Sequence, residues 1–206
     1  MTRKARYVAQ GFRNDPPPGM SYAGVVSRDS VRLGFLLAAL NGLEILAGDV
    51  QNAFINAETP EKIFFYAGDE WGPDKGRVII IRRALYGLKT SAATWRQHLA
   101  DTITNMVFTA SLADSEVFMK ANSFGDGRVH DEYYTYIMVY VDDILIIDKS
   151  PGHFMDILKP SYIIKPDSIK QSTSYLGSDI GTVRINKTHY WTMSSQSYTK
   201  EAVKIV

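Results

Sequence analysis

Residues 136–147, YIMVYVDDILII, place two adjacent carboxylates, Asp142 and Asp143, between two runs of apolar and aromatic residues. Ile, Val and Tyr favour the pleated surface of a sheet, so both runs predict strands and the acidic pair predicts a tight hairpin turn. Asp-Asp is a poor turn sequence, because two-residue hairpins favour Asn-Gly or Asp-Gly. One interpretation is an ordinary solvated turn, since Asp is common in turns. The other is a charged functional site that recruits a third carboxylate from elsewhere.

Composition restricts what such a site can bind. The chain has no cysteine, which excludes disulfides, thiolate nucleophiles and cysteine-based zinc sites. Its four histidines lack the spacing of a metal-binding motif. Any bound metal would be held mainly by oxygen ligands, and this favours Mg²⁺ or Mn²⁺.

The 206 residues allow one domain, or one and a half, with a sizeable core. Hydrophobic residues make up 45% and charged residues 22%, which is typical of a globular protein. No apolar run reaches the roughly 18 residues of a membrane span, and the first residues lack the apolar stretch of a secretory signal. We therefore expect an intracellular protein without a membrane partner.

The net charge of +1 does not by itself indicate a nucleic-acid binder. Basic residues nevertheless cluster in two places, and each cluster is either a solvated face or part of a surface flanking an acidic site. The clusters are Arg3, Lys4, Arg6 and Arg13 near the start, and Arg82, Arg83, Lys89 and Arg96 around the middle.

Apolar residues at helical spacing predict two clear helices. The first begins near Ser27 or Asp29 and ends at a Gly42 cap; the second covers residues 91–108 with Ser91 as a candidate cap. A terminal helix is expected from about Ser195. The predicted apolar stripes are Val31, Phe35, Leu36 and Ala39 in the first helix and Trp95, Leu99, Ile103 and Met106 in the second.

Strands are predicted as a hairpin of residues 61–68 and 76–87, a second antiparallel pair around the turn at 124–127, and a terminal meander. The stretch before them, LEILAGDV, predicts a strand that ends near Asp49. Together these elements predict an α+β fold with helices on one face of an antiparallel sheet.

Asp49 supplies the third acid. Like Asp142, it follows an apolar stretch, where a lone buried charge would be costly without a compensating cation or donor. Asp49 and Asp142 would converge if their strands are neighbours in one sheet. Such a pair suits two divalent cations that stabilise the attacking and leaving oxygens in phosphoryl or nucleotidyl transfer. Phosphate-binding loops and a nucleophile elbow are absent from the sequence.

Five ordered blocks resemble the reverse transcriptase region of copia-type long-terminal-repeat retrotransposons, and they cover nearly the whole chain. They are KARYVAQGF (4–12), GDVQNAFINA (48–57), RRALYGLKTSAATW (82–95), YVDDILI (140–146) and YLGSDI (175–180).

The resemblance implies the fingers and palm of a right-hand polymerase, within a single partial reverse transcriptase domain covering residues 1–206. The fingers would cover about residues 1–30 and 60–90, and the palm about 31–59 and 91–206, with thumb and RNase H absent. The implied activity is RNA-directed DNA polymerisation, which adds deoxynucleoside triphosphates to a primer 3′-hydroxyl on an RNA or DNA template.

The resemblance also implies residue roles. Asp49 and Asp142 would be the principal Mg²⁺ (or Mn²⁺) ligands and Asp143 the third acidic member. Phe54 would lie beneath the incoming sugar, where a 2′-hydroxyl would clash. The remaining nucleotide-binding positions are Lys4 and Arg6, which would grip the triphosphate, and Tyr86, Gly87 and Lys89, which would lie under template and nucleotide.

Two departures from the family pattern leave an alternative open. The chain has Thr90-Ser91-Ala92-Ala93-Thr94 where family members commonly carry a Gln, a Pro and an Arg, and residues 149–164 leave little room for the usual helix. The alternative is a degenerate or truncated, non-catalytic remnant whose remaining capacity is nucleic-acid binding. Another two-metal nucleotidyl transferase would need the same acids but not the other blocks.

Overall fold

The computed structural model describes residues 7–13, 15, 21–124, 131–171, 174–176, 178–186 and 188–204. The chain divides into two compact units. The first unit consists of Met1–Gly24 and Asn52–Asn105, and the second of Val25–Gln51 and Met106–Val206.

The described residues form four α-helices and eleven strands, in a mixed fold whose sheets are antiparallel. The helices are α1 (Arg28–Asn41), α2 (Ser91–Asn105), α3 (Pro151–Leu158) and α4 (Gln196–Lys204). The strands are β1 (Glu44–Asp49), β2 (Glu58–Tyr66), β3 (Val78–Arg83), β4 (Thr109–Ala110), β5 (Val117–Phe124), β6 (Asp131–Tyr140), β7 (Asp143–Asp148), β8 (Lys170–Gln171), β9 (Ser174–Tyr175), β10 (Ser178–Ile185) and β11 (Thr188–Ser194). No helix in the described ranges has the length and apolar character needed to cross a membrane.

Local sequence signals set the ends of α1. The Ser27 hydroxyl oxygen accepts a hydrogen bond from the Ser30 backbone N–H, which satisfies one of the free donors at the helix start. Gly42 ends the helix at φ 61°, a left-handed conformation that glycine adopts without a Cβ clash. Both predicted ends are confirmed, and Val31 is buried as expected. Leu36, however, is 53% exposed, so the predicted apolar stripe was too wide.

The second predicted helix is also present, but its start differs from the prediction. Ser91 is the first residue of α2 rather than a cap. Its hydroxyl accepts a hydrogen bond from the backbone N–H of Leu85 and donates one to the Leu85 carbonyl. The interior side chains Trp95, Leu99 and Ile103 are buried, as predicted. Met106 follows the end of the helix.

The second unit is built on a six-stranded sheet with the order β4-β5-β6-β7-β1-β8. The four central residues of β7, Ile144 to Ile147, are fully buried, as expected for a strand that is covered on both faces. Leu145 and Ile147 belong to a core cluster with Val31 and Phe35 of α1. Because side chains alternate along a strand, Ile144 and Ile146 must face the opposite side.

The opposite face of the sheet is covered by α3. Gly48 pairs with Ile144, and a Cβ at Gly48 would lie 2.7 Å from the Met155 methyl of α3. The prediction that helices pack on one face was therefore wrong for this sheet. The continuous apolar run of β7 is typical of a strand that is covered on both faces, but from the sequence we interpreted it only as one arm of a hairpin.

The other predicted strands are largely confirmed. β5 and β6 form the expected antiparallel pair, although most of the turn at residues 124–127 lies outside the described residues. The predicted terminal meander exists as a three-stranded sheet, β11-β10-β9. Trp191 of this sheet packs edge-on against Phe35, with ring centroids 5.9 Å apart.

The first unit combines the β2–β3 hairpin with α2. The hairpin pairs Phe64 with Ile80 and Tyr66 with Val78, in agreement with the predicted strands. Inside this unit the buried carboxylate of Glu61 accepts hydrogen bonds from the backbone N–H and the hydroxyl of Thr90. This partner compensates a charge that would otherwise be costly to bury.

We predict that Leu145→Ala lowers the free energy of unfolding by about 2–5 kcal/mol, because it leaves a cavity beneath α1. Leu40→Ala is the matched control, since Leu40 lies on α1 but is 72% exposed; it should change stability by less than about 0.5 kcal/mol. Urea unfolding followed by circular dichroism measures both. Equal effects of the two substitutions would contradict the assigned core.

Candidate functional site

The acidic hairpin is formed by β6 and β7, and its turn is one residue earlier than predicted. Tyr140 pairs with Asp143, so the two turn residues are Val141 and Asp142, and Asp143 is the first residue of β7. Val141 has φ 56°, in the left-handed region that two-residue hairpin turns require and that β-branched residues rarely adopt. Such a conformation costs about 1–3 kcal/mol and persists because the flanking strands impose it.

The third predicted acid lies on the neighbouring strand. β1 pairs with β7 in an antiparallel arrangement that places Asp49 directly opposite Asp143. The backbone N–H of Val50 donates to the carbonyl of Asp142, at 2.8 Å. The three aspartates therefore meet at one end of one strand pair, with Asp49 and Asp143 on the same face.

The backbone hydrogen bonds of Asp49 show how closely Asp49 and Asp143 approach each other. The backbone N–H of Asp49 donates to the Ser168 hydroxyl at 2.9 Å, and its carbonyl accepts from the Lys165 N–H at 3.0 Å. Both backbone groups of Asp49 thus point away from β7. Asp49 and Asp143 form a non-hydrogen-bonded antiparallel pair, the type whose Cα atoms are closer, at about 4.5 Å, and whose side chains approach most.

Lys165 is the functional candidate that sequence reasoning missed. Its ammonium forms an ion pair with Oδ2 of Asp49, and the other carboxylate oxygen, Oδ1, is buried without a hydrogen-bond partner in the described part of the chain. The segment that carries Lys165 joins the sheet by an isolated bridge between Val50 and Ile164. The available signal was the apolar run ahead of this lysine, at residues 162–164, which resembles a strand that ends in a charge.

The electrostatics reflect three carboxylates in a small volume. Burial raises the pKa of Asp143 from 3.8 to about 6, and the negative charges of Asp142 and Asp49 add to the increase. Lys165 acts in the opposite direction on the same pKa. The three carboxylates together carry more negative charge than Lys165 compensates.

The donor chemistry of this site fits a hard divalent cation. All three side chains offer carboxylate oxygens, one of them buried and unpartnered, and such ligands suit Mg²⁺ or Mn²⁺. In the arrangement described for residues 7–204 with their gaps, no three acidic or histidine side chains are close enough together to hold a metal ion. Lys165 pairs with one of the two carboxylate oxygens of Asp49.

The predicted nucleotide-binding residues of the first unit partly come together. The rings of Phe54 and Tyr86 are in contact, with centroids 4.8 Å apart. Gly87 has φ 92°, and a Cβ there would lie 2.0 Å from the carbonyl oxygen of Ala9, so only glycine fits. Lys89 is exposed. Lys4 and Arg6 lie outside the described residues.

The unusual residues after Lys89 have structural roles. Thr90 is fully buried against Glu61, and Ser91 bonds the backbone of Leu85, as described above. Their hydroxyls fix the connection between β3 and α2. Thr90 and Ser91 therefore contribute hydrogen bonds that stabilise the first unit.

The segment after the acidic hairpin also differs from expectation. We expected little room for a helix in residues 149–164, yet α3 forms there over eight residues. Pro151 does not prevent it, because proline is tolerated at the first helical position, where its missing N–H would be unpaired anyway. Met155 and Leu158 of α3 are buried.

Fold and site together define an α+β protein with a cluster of aspartates at the end of a strand pair, whose possible metal ligands are all carboxylate oxygens. The sequence model of one family, described as reverse transcriptase (RNA-dependent DNA polymerase), matches residues 1–204. The chain belongs to this reverse transcriptase family, whose members are nucleotidyltransferase-type enzymes that generally use divalent metals. The predicted resemblance to the reverse transcriptase region of copia-type retrotransposons is confirmed.

Curated relatives agree with the family assignment. The chain is 30% identical over 172 residues to the retrovirus-related Pol polyprotein from transposon RE2 of Arabidopsis thaliana, which covers 79% of this chain and 11% of the relative. It is 30% identical to the corresponding RE1 polyprotein of the same plant, over 72% of this chain and 10% of the relative. A third relative, from transposon TNT 1-94 of Nicotiana tabacum, is 28% identical over 72% of this chain and 11% of the relative. The chain thus spans about a tenth of the length of these polyproteins.

The raised pKa of Asp143 predicts a pH dependence of stability in metal-free buffer. The folded chain binds this proton more tightly than the unfolded chain, where the pKa is near 3.8. The contribution of Asp143 to stability is therefore fully present below pH 3.8 and is lost as the pH rises through about 6.

We expect Asp143→Asn to match wild-type stability near pH 4 and to exceed it at pH 7, because the amide has no charge to bury. Denaturant unfolding of both proteins across this range, in the presence of a chelator, measures the difference. A wild-type stability that rises relative to the variant between these pH values would have the wrong sign.

Proposed function

We propose that this chain is the part of an RNA-directed DNA polymerase that carries the catalytic aspartates, and that it transfers deoxynucleotides to a primer 3′-hydroxyl. The observation that carries the proposal is the placement of Asp49 opposite Asp143, with Asp142 in the adjoining turn. Membership of the reverse transcriptase family supports the same reaction.

In this proposal Asp49 and Asp142 are the principal ligands of Mg²⁺ or Mn²⁺, and Asp143 is the third acidic member. When bound, the cations would lower the pKa of the primer hydroxyl and neutralise the charge of the triphosphate. The protein itself holds the carboxylates in place. The register of β1 on β7 places Asp49 opposite Asp143, and the Asp49 backbone bonds Ser168 and Lys165. The Val50 N–H holds the turn that carries Asp142.

The first unit would supply the nucleotide contacts. Phe54, packed on Tyr86, is proposed to lie beneath the sugar of the incoming nucleotide and to exclude a 2′-hydroxyl by steric conflict. Gly87 would allow close approach of the backbone, and Lys89 would contact a phosphate as a point charge. Lys4 and Arg6 would grip the triphosphate.

The proposed partners are an RNA or DNA template with its primer and the deoxynucleoside triphosphates. The fingers and palm assignment, with fingers at about residues 1–30 and 60–90, stays a prediction. So does an intracellular location, in a cytoplasmic particle or in the nucleus.

We expect the purified chain to extend a DNA primer on an RNA template with Mg²⁺ or Mn²⁺, and Asp142→Asn to reduce extension at least about a hundredfold. The reason is that a metal ligand contributes several kcal/mol of transition-state stabilisation. Asp156→Asn is the matched control, because Asp156 is an exposed aspartate of α3 that pairs with Lys159. A gel-based primer-extension assay measures all three proteins.

Undiminished extension by Asp142→Asn would refute the assignment of the acids. No extension by a folded wild-type chain, with either cation, would instead support the non-catalytic remnant. A template-binding measurement on the same protein then determines whether nucleic-acid binding survives.

The role proposed for Phe54 predicts a change in sugar selectivity. Phe54→Val should raise incorporation of ribonucleotides relative to deoxynucleotides by about tenfold or more, because the smaller side chain leaves room for a 2′-hydroxyl. Phe65→Val is the control, since Phe65 packs against Tyr7 and Trp71 in the same unit and not against Tyr86. Competition between the two nucleotide types in primer extension measures the ratio. A ratio that Phe54→Val leaves unchanged would assign Phe54 to the core.

A further inference from the structure

We propose that Lys165 is a resident counter-ion of Asp49, which a divalent cation displaces when it binds the acidic site. The inference rests on the proposed function, because that function makes Asp49 a metal ligand. The resemblance to the family did not identify Lys165, nor the competition between its ammonium and a divalent metal ion.

The position of Lys165 is imposed by the backbone around it. The Lys165 N–H donates to the Asp49 carbonyl at 3.0 Å, and the Gln51 N–H donates to the Ile163 carbonyl at 2.8 Å. Ile164 bridges to Val50 between them. Residues 163–165 therefore run beside the end of β1, on the edge away from β7. The lysine stem begins next to Asp49 whatever its side-chain rotamer.

The ion pair compensates a charge that is difficult to leave alone. The Asp49 side chain is only 23% exposed, its Oδ2 pairs with Lys165, and its Oδ1 has no hydrogen-bond partner among the described residues. Two further carboxylates, Asp142 and Asp143, add negative charge beside it. A partly buried carboxylate in this setting needs a cation.

The Lys165 ammonium and a divalent cation repel each other if both bind the Asp49 carboxylate. An ammonium and a divalent cation on one carboxylate oxygen would lie within a few ångströms of each other, and like charges at that separation repel strongly away from bulk water. Among the described residues no three acidic or histidine side chains are close enough together to hold a metal ion, and the ammonium occupies one oxygen of Asp49. Departure of Lys165 would free Oδ2 beside the unpartnered Oδ1.

Lys165 is able to leave. Its side chain is 42% exposed, roughly twice the fraction of Asp49, and lysine carries its charge on a flexible four-carbon stem that water solvates well. Asp49, in contrast, is fixed by the hydrogen bonds of its own backbone to Ser168 and Lys165. Displacement therefore moves the lysine and leaves the carboxylate in place.

The test is the affinity of the 206-residue chain for Mn²⁺, measured by calorimetry and by electron paramagnetic resonance without nucleotide or nucleic acid. Lys165→Met keeps the length of the stem and removes the charge; we expect it to bind Mn²⁺ at least about threefold more tightly than wild type. Lys159→Met is the matched control, because Lys159 pairs with the exposed Asp156 and should leave the affinity unchanged. Asp142→Asn should weaken binding.

The outcomes separate the two proposals. If wild type binds no Mn²⁺, or Asp142→Asn binds as wild type does, the metal site of the proposed function fails. If both behave as expected but Lys165→Met binds equally or more weakly, the counter-ion inference alone is overturned. Weaker binding in that variant would mean that Lys165 only orients Asp49.

Two further measurements test the inference independently of the Mn²⁺ affinity of Lys165→Met. Its melting temperature should lie below that of wild type without metal, and saturating Mn²⁺ should reduce the difference. In wild type, an amine-reactive label followed by mass spectrometry should modify Lys165 faster when Mn²⁺ is present, while Lys159 labels at a constant rate. An unchanged rate at Lys165 under saturating Mn²⁺ would overturn the inference without any variant.

Discussion

The pairing of β1 with β7 is the constraint on which the rest of the site depends. Its hydrogen bonds place Asp49 opposite Asp143 and the end of β1 against the turn that carries Asp142. Register matters here, because a shift by one residue would turn every side chain of β1 to the other face. The register is held by burial on both faces, by Ile45 and Leu145 under α1 and by Gly48 and Ile144 under α3. The hydrophobic core thus fixes the distance between the charges.

That placement sets like charges against one another. Two effects disfavour the charged form of Asp143: its burial and the repulsion from Asp142 and Asp49. Both raise its pKa. Burial of the flanking strands opposes this repulsion, because full burial of an aliphatic side chain contributes about 1.5–3 kcal/mol and the four central residues of β7 are all buried. Lys165 reduces the repulsion further at Asp49. A strand pair with a weaker core would relieve the same repulsion by separating its ends.

Sequence reasoning succeeded where the determining interactions are local. Ser27 and Gly42 set the ends of α1 through bonds within a few residues, and β2 and β3 were predicted from their apolar runs and from the turn-rich residues 69–75 between them. It failed where the partner is distant in the chain. Ser91 resembles a helix cap until its bonds to Leu85 are known, Leu36 looks like a core residue until α1 is oriented on the sheet, and nothing in the spacing connects Lys165 with Asp49. Asp49 and Asp142 were identified from the sequence because each follows an apolar stretch, where a lone buried charge is costly.

The turn of the acidic hairpin shows how a local rule yields to the surrounding structure. A two-residue turn needs a positive φ, which glycine or asparagine would adopt at low cost, yet this chain places Val141 there and Asp142 beside it. The ladder between β6 and β7 closes the hairpin at Tyr140 and Asp143 and therefore imposes the turn whatever its residues are. Because the strands determine the geometry, the turn positions are free to carry chemistry in place of turn propensity. Asp142 can then occupy the turn position whose carbonyl accepts a hydrogen bond from the Val50 N–H, just beyond the end of β1.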